Sequence, residues 1–172
     1  RTSSDVETLL GIPVLGIIID SPKDRYVIIR NVGVVNWTDG IQIRGDSQVL
    51  LDNVRSEHNI NNGVSVLGNA KVAIKSSSIA ATGFRLNPMT GNFPTANLPM
   101  PGIGVNFQEK SRGEIRDTSI TGNFLAGVRG AQDTRVRVRD SLVFGNNRVR
   151  ELGVPQGPAP MTAIFMFVGR SR

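Results

Sequence analysis

A repeat with a period of about 23 residues constrains this chain more than any other feature of its sequence. Each copy opens with a glycine followed by alternating apolar residues. The opening glycines are Gly16, Gly40, Gly63, Gly104 and Gly127. They lie 24, 23, 41 and 23 residues apart, and the long interval holds one period and an 18-residue insertion. A repeat of this length predicts a solenoid of stacked units.

Each copy contains two short segments in which apolar residues alternate with others, a pattern typical of β-strands with one buried face. An Asn, Asp or Ser follows the second segment, at Asn31, Asn53, Ser76, Asp117 and Asp140. These residue types favour tight turns, so we expect a corner there whose side chains stack into a ladder. A second turn mark follows at His58-Asn59, Gly122-Asn123 and Gly145-Asn146.

The repeat favours stacked parallel strands over the two main alternatives. Helical repeats are disfavoured because no segment after Leu10 keeps a three-four spacing of apolar residues and glycines recur too often. A sandwich of antiparallel hairpins also has short alternating strands, but it does not require the same glycine and Asn/Asp marks in every copy. We therefore predict an all-β parallel solenoid of about six coils.

The Gly-Ile-x-Ile openings and the Ile-x-Asp/Asn-x-x-Ile second segments resemble the right-handed parallel β-helix family of pectate-lyase-like proteins. The resemblance covers about residues 14–168. It implies a right-handed parallel β-helix with a ligand groove along the face of the first strands, walled by loops at the corners. It does not specify the function, because the family includes polysaccharide lyases, hydrolases, epimerases, phage tailspikes and adhesins.

We predict a single domain over residues 1–172. Ser4-Asp-Val-Glu7 matches a helix capping box, so residues 1–13 are expected to form an N-terminal cap with a short helix. Insertions at about 83–101 and 148–161 are rich in Pro and Gly and leave the coil at the same phase, which predicts loops on one edge. We expect the apolar segment Ala163–Val168 either to dock on the last coil as a final strand or to continue into chain outside this sequence. An exposed edge of that kind would allow end-to-end pairing with another chain.

Stacking of the first strands predicts two outward columns of side chains. One column is Ile18, Gln42, Ser65, Asn106 and Arg129, and the other is Asp20, Arg44, Leu67, Gln108 and Ala131. Because coils stack about 4.8 Å apart, Asp20 and Arg44 are expected to pair. The surface suits sugar hydroxyls, so we interpret Gln42, Arg44, Asn106, Gln108 and Arg129 as candidate binding residues.

Stacking of the second strands predicts a basic patch. The outward columns are Tyr26, Gln48, Lys71, Arg112 and Arg135, then Ile28, Leu50, Ala73, Glu114 and Arg137, then Arg30, Asp52, Lys75, Arg116 and Arg139. The candidate binding residues among them are Lys71, Lys75, Arg112, Arg116, Arg135, Arg137 and Arg139. With a net charge of +6, this patch points to a polyanion. The alternative is an exposed sheet edge that carries charge to prevent aggregation.

Evidence for catalysis in the sequence is weak. The outward columns of the first strands contain no carboxylate pair for glycoside hydrolysis and no group of Asp residues for calcium. The resembled lyases use calcium-binding acidic clusters with a basic residue and the hydrolases several aspartates, and neither pattern is present. The chain has no cysteine, and its one histidine, His58, lies at a turn. We predict no metal site and no cofactor.

Three hypotheses for the function remain open. The first is a non-catalytic carbohydrate-associated β-helix that binds an acidic polysaccharide or other polyanion. The second is an enzyme of the polysaccharide lyase, epimerase or hydrolase type, with Asp20, Arg44 and Arg129 as the residues to test. The third is a structural or assembly module of a surface fibre or tailspike. No run of 18 apolar residues is present, so no membrane span is predicted, and we expect an extracellular, periplasmic or cell-surface location.

Overall fold

The computed structural model describes residues 15–83, residues 102–146 and the strand Ile164–Met166. All regular secondary structure in these residues is β-strand. The predicted capping helix within residues 1–13 and the insertion at 148–161 lie outside the described residues, as does the insertion at 83–101 apart from Gly83.

The strands form three parallel sheets. Sheet 1 contains β1 (Leu15–Asp20), β4 (Asp39–Arg44), β7 (Asn62–Val66), β10 (Ile103–Phe107), β13 (Ala126–Gly130) and β16 (Ile164–Met166). Sheet 2 contains β2 (Tyr26–Arg30), β5 (Gln48–Asp52), β8 (Lys71–Lys75), β11 (Arg112–Arg116) and β14 (Arg135–Arg139). Sheet 3 contains β3 (Gly33–Val35), β6 (Arg55–Glu57), β9 (Ser78–Ala80), β12 (Ser119–Thr121) and β15 (Leu142–Phe144).

The strand register confirms that residues one period apart are neighbours. Ile41 lies opposite Val64, and Val64 lies opposite Val105 although the insertion separates them in sequence. The chain is therefore a parallel β-solenoid, and the antiparallel sandwich is wrong. Two details of the prediction also need correction. The described residues form five complete coils followed by one further strand, fewer than the six predicted, and each coil has three strands because the second segment divides at its corner.

One apolar core runs along the axis of the coils. Alternate residues of each strand point inward, and Ile41, Ile43, Val64, Val66 and Phe107 in sheet 1 are all 0% exposed. Such β-branched and aromatic side chains favour the extended backbone and pack well against the neighbouring coil. The core therefore consists of columns of similar side chains, with little contact between distant coils.

The glycine that opens each copy is required by the close approach of neighbouring coils. A Cβ atom added at Gly16, Gly40, Gly63 or Gly104 would lie 2.5–2.7 Å from the carbonyl oxygen of the next glycine in the column. Because that oxygen belongs to the backbone, it cannot rotate away as a flexible side chain would. The sequence mark that defines the repeat is therefore a steric requirement of stacking.

The corner between sheets 2 and 3 confirms the predicted ladder position. Asn31, Asn53, Ser76, Asp117 and Asp140 all have positive φ angles, between 47° and 56°. The Nδ2 of Asn53 donates a hydrogen bond of 2.8 Å to Oδ1 of Asn31 in the preceding coil. Asn and Asp tolerate this left-handed backbone better than other residues with a side chain, which explains why they mark the corner.

The corner between sheets 3 and 1 contains a second ladder, which lies inside the coil. Asn59 and Asn123 are both 0% exposed. Asn59 Oδ1 accepts a bond from the backbone N–H of Trp37, and Asn123 Oδ1 accepts one from Thr82. The amide of Asn123 in turn donates to Oδ1 of Asn146 at 2.8 Å. These side chains satisfy backbone groups that the turn would otherwise leave buried and unpaired.

Asp39 is a buried carboxylate at the start of β4. Its Oδ1 accepts hydrogen bonds from the backbone N–H and the Nδ2 of Asn62, at 3.1 and 2.8 Å. Burial raises the pKa of Asp39 above its ordinary value, and the bonds from Asn62 oppose that shift only in part. The folded state therefore holds the proton of Asp39 more tightly than the unfolded chain does.

Gly63→Ala tests the steric requirement of the glycine column. The added methyl group would meet Gly104 O at 2.7 Å and Ile79 Cγ2 at 2.6 Å. We expect a loss of roughly 1–3 kcal/mol in the free energy of unfolding, measured by urea denaturation. Gly33→Ala is the matched control, because nothing lies within 4 Å of its added Cβ, and it should leave stability nearly unchanged. Equal effects of the two substitutions would contradict the steric account.

Asp39→Asn tests the buried carboxylate, because the amide keeps an oxygen for Asn62 but cannot ionise. The contribution of Asp39 to stability is most favourable below its unfolded pKa and is lost as the pH rises through its raised folded pKa. The variant should therefore be more stable than the wild type at pH 7, with a smaller difference at pH 4. Denaturation of both proteins at the two pH values measures this. A variant that is less stable at pH 7 would refute it.

Candidate polyanion-binding face

The outward face of sheet 2 presents the three columns that the period predicts. Arg112 lies opposite Lys71 on one side and Arg135 on the other, and we call these three residues the cation row. In the same way Arg116 lies between Lys75 and Arg139, and Glu114 lies between Ala73 and Arg137. These seven cations and Glu114 all belong to exposed residues.

Alternation along each strand places these charges outward. In β8 and β11, Val72, Ile74 and Ile115 are buried while the charged residues at both strand ends are exposed. Neighbouring strands lie about 4.8 Å apart, so the cation row holds three like charges in line at that spacing. Like charges directly opposite each other on adjacent strands destabilise a sheet.

The two outer columns differ in how far their charges are compensated. The guanidinium of Arg116 lies 3.2 Å from the carboxylate of Asp117 and 4.0 Å from that of Asp140. Arg30, which lies in the first coil of the same column, pairs with Asp52 at 3.0 Å. Across residues 15–83 and 102–146, by contrast, no carboxylate lies within 4.0 Å of a cation-row side chain. Among the described residues, the cation row therefore has no compensated member, whereas in the other outer column Arg30 and Arg116 are paired and Lys75 and Arg139 are not.

A shallow furrow runs beside the cation row across all five strands of sheet 2. One part is lined by Tyr26, Gln48, Val49, Lys71, Val72, Ala73, Arg112, Gly113 and Glu114. The other part is lined by Gly113, Glu114, Arg135, Val136 and Arg137. The two parts share Gly113 and Glu114 and together cross four strand spacings, about 19 Å. This is room for a short stretch of an extended polymer.

Gly113 in the furrow is explained by the core beneath it. The other strands of sheet 2 have Val27, Val49, Val72 and Val136 at this register position. A Cβ at Gly113 would clash with the ring of Phe107, which is 0% exposed. A large residue in sheet 1 therefore takes the core space that a valine side chain fills in the other strands of sheet 2.

Sheet 1 places the first of its predicted outward columns in register, and sugar binding there stays a prediction. Gln42, Ser65, Asn106 and Arg129 lie in register in one column. However, Ser65 and Asn106 are each only 3% exposed, and Asn106 Oδ1 has no hydrogen-bond partner among the residues that the structure describes. Gln42, Gln108 and Arg129 are half-buried. The residues of the column are in the expected register, but they do not form a continuous exposed polar surface.

The three residues proposed for an enzyme do not meet at one site. Asp20 and Arg44 form the predicted pair, with Arg44 Nε 2.9 Å from Asp20 Oδ2. Arg129 lies on β13, three strands from Arg44, which is about 14 Å at the usual strand spacing. His58 is exposed at a corner with a φ angle of 54°. In the part of the chain that the structure describes, no three His, Cys, Asp or Glu side chains are grouped to hold a metal ion.

Tyr26, Gln48 and Glu114 line the furrow, although sequence reasoning did not include them among the candidate site residues. They belong to the same columns as the cations, so their positions followed from the period. The missing information was the shape of the surface. Tyr26, the only Tyr in the chain, is 59% exposed and lies at one end of the furrow.

The described residues thus define a parallel β-helix with a charged furrow on its second sheet. A family model for the right-handed β-helix region matches residues 15–169, and the chain belongs to this family. A search of curated proteins finds no match. Among solved structures, the chain is similar to the crystal structure of pectate lyase Pel9A, with 13% identity and a TM-score of 0.48. The match covers 84% of this chain, which spans about half of the pectate lyase (53%).

No helix capable of crossing a membrane is found in the part of the chain that the structure describes.

Leu142 and Phe144 on β15, the last strand of sheet 3, are 59% and 71% exposed. These apolar side chains lie on an edge strand. End-to-end association of the chain stays a prediction.

Arg112→Gln tests whether the cation row is electrostatically strained. Removal of the central charge relieves two like-charge contacts, so we expect a gain of roughly 0.2–1 kcal/mol in the free energy of unfolding at low salt. The gain should disappear at high salt because exposed charges are then screened. Arg116→Gln is the control on the same strand, and it should give no gain because Arg116 already pairs with Asp117. Destabilisation by Arg112→Gln at low salt would rule out the strain.

Proposed function

We propose that this chain is a non-catalytic carbohydrate-associated β-helix module that binds an acidic polysaccharide or other polyanion along sheet 2. The observation that carries the proposal is the cation row, three aligned and exposed cations without a carboxylate partner in the described residues. Arg suits bidentate contacts to carboxylate, sulfate or phosphate groups, and Lys provides a compact charge beside them.

The position of the cation row argues against a role in preventing aggregation alone. Charged residues protect edge strands, whose backbone groups are unpaired. Arg135 lies on β14, which is an edge strand of sheet 2. Lys71 on β8 and Arg112 on β11, however, belong to strands that are hydrogen-bonded on both sides. Edge protection does not require charge at these two positions, whereas binding of an extended anion does.

The arrangement favours a polymer over a small anion. Three cations at about the strand spacing can each contact a separate anionic group of one chain. Once the first group is bound, the next contacts form at a high effective concentration, so weak contacts combine into useful affinity. A single sugar acid engages only part of the row and gains none of this advantage.

The proposed partner and location follow from the same chemistry. Acidic polysaccharides are accessible outside the cytoplasm, so we propose an extracellular, periplasmic or cell-surface location. The lyase, epimerase or hydrolase alternative gains no comparable support, because Arg129 lies apart from the Asp20–Arg44 pair. Gln42, Arg44, Gln108 and Arg129 stay proposed contacts for sugar hydroxyls on sheet 1.

The double variant Arg112→Gln/Arg135→Gln tests the binding face. We expect the wild type to be retained on immobilised alginate and dextran sulfate, to elute with increasing salt, and to pass through neutral dextran. The double variant should bind on the order of 100-fold more weakly, since a hydrogen bond to a charged group contributes roughly 1.5–3 kcal/mol. Titration with the soluble polymers gives the affinities.

The control is Arg55→Gln/Lys110→Gln, which removes the same charge from sheet 3 and from the corner before β11. It should bind almost as well as the wild type. If both double variants lose affinity equally, binding depends on net charge and not on the cation row. If the wild type is retained on neither polyanion, the proposed function is wrong.

A further inference from the structure

The furrow beside the cation row is not uniformly cationic. Glu114 belongs to the middle column of sheet 2, on the same strand as Arg112 and two residues from it. Its register neighbours are Ala73 and Arg137. Within the described residues, no cation lies within 4.0 Å of its carboxylate. A binding surface for anions of every kind would not require an unpaired negative charge beside its central cation.

A carboxylate in this position distinguishes between the groups that a polymer can carry. A sulfate or phosphate near Glu114 is repelled, and the repulsion grows with the charge density of the polymer. A hydroxyl group instead donates a hydrogen bond to the carboxylate, and such charge-assisted bonds are among the stronger ones. Glu114 therefore favours a ligand in which hydroxyl groups lie between the anionic groups.

The rest of the furrow fits the same kind of ligand. Gln48 donates from Nε2 to the backbone carbonyl of Lys23, which leaves its own carbonyl oxygen to accept a hydroxyl. Tyr26 offers a flat apolar ring at the end of the row, and aromatic rings of this kind suit the apolar face of a sugar. A single exposed ring does not form the series of stacking platforms that single-stranded nucleic acids use.

We propose that Glu114 is a specificity-determining residue of the furrow, and that it selects a hydroxyl-rich acidic polysaccharide against sulfated polymers and nucleic acids, which offer few hydroxyl groups. This inference rests on the proposed function, since it assumes that sheet 2 binds a polyanion. The ligand would carry about one carboxylate per sugar, placed against the cation row, and would present its hydroxyl groups to Glu114 and Gln48.

Glu114→Gln tests the selection, because it removes the charge and keeps the shape of the side chain. Affinities for soluble alginate, dextran sulfate and single-stranded DNA are measured by titration at one ionic strength. We expect the variant to bind dextran sulfate and DNA about three- to tenfold more tightly than the wild type. Its affinity for alginate should stay the same or fall up to about threefold, because the charged hydroxyl acceptor is lost.

Glu109→Gln is the matched control, with the same change of charge on an exposed corner residue outside the furrow. The next coil already has Gln132 at a corner with a φ angle of 63°, close to the 62° of Glu109, so glutamine suits this backbone. The control should alter the three affinities equally and only slightly.

Two results would overturn the inference, and they can be told apart. If Glu114→Gln strengthens binding to all three polymers by the same factor, Glu114 acts only through net charge, and polyanion binding itself still stands. If the wild type binds none of the three, the proposed function fails and the selectivity fails with it. Preferential tightening on dextran sulfate and DNA supports the inference.

Discussion

The stacking of backbone directly upon backbone at the glycine column determines the rest of this structure. An added Cβ at these glycines would lie 2.5–2.7 Å from a carbonyl oxygen of the next coil, so only glycine allows the approach. Once that contact is made, the register of every strand in the coil follows, and residues one period apart become neighbours. The inner Asn ladder and the outer corner ladder then satisfy the backbone groups of the turns.

Because of this register, residues one period apart in the sequence form rows of side chains, some inside the coils and some on the surface. A row of apolar residues builds the core, and a row of like charges on the outside costs stability unless something offsets it. Lys71, Arg112 and Arg135 form such a row in sheet 2, while Arg116 in the parallel column is compensated by Asp117. The contrast between these two columns of one sheet is the reason to assign binding to the first. A bound polyanion would supply the compensating charge.

Much of the fold could be predicted from the sequence because the period specifies neighbours. The Asp20–Arg44 pair and the columns of sheet 2 follow from counting 22 to 24 residues along the chain, or 41 across the insertion. The burial of Asn106 could not be predicted, because it depends on what covers the strand and not on its register. The furrow was equally inaccessible, since it depends on the shape of the surface and not on the register. The short third strands were missed because their pattern merges with that of the second strands.

The 41-residue interval has a consequence for how such a surface can change. Val64 and Val105 stay opposite each other across it, and so do Lys71 and Arg112. Lys71 therefore comes from one side of an 18-residue addition and Arg112 and Arg135 come from the other, and the addition leaves their alignment untouched. In this architecture a loop can lengthen or shorten at a corner while the rows of surface side chains keep their spacing. The length of a loop at the edge is thus independent of the spacing of side chains on the faces.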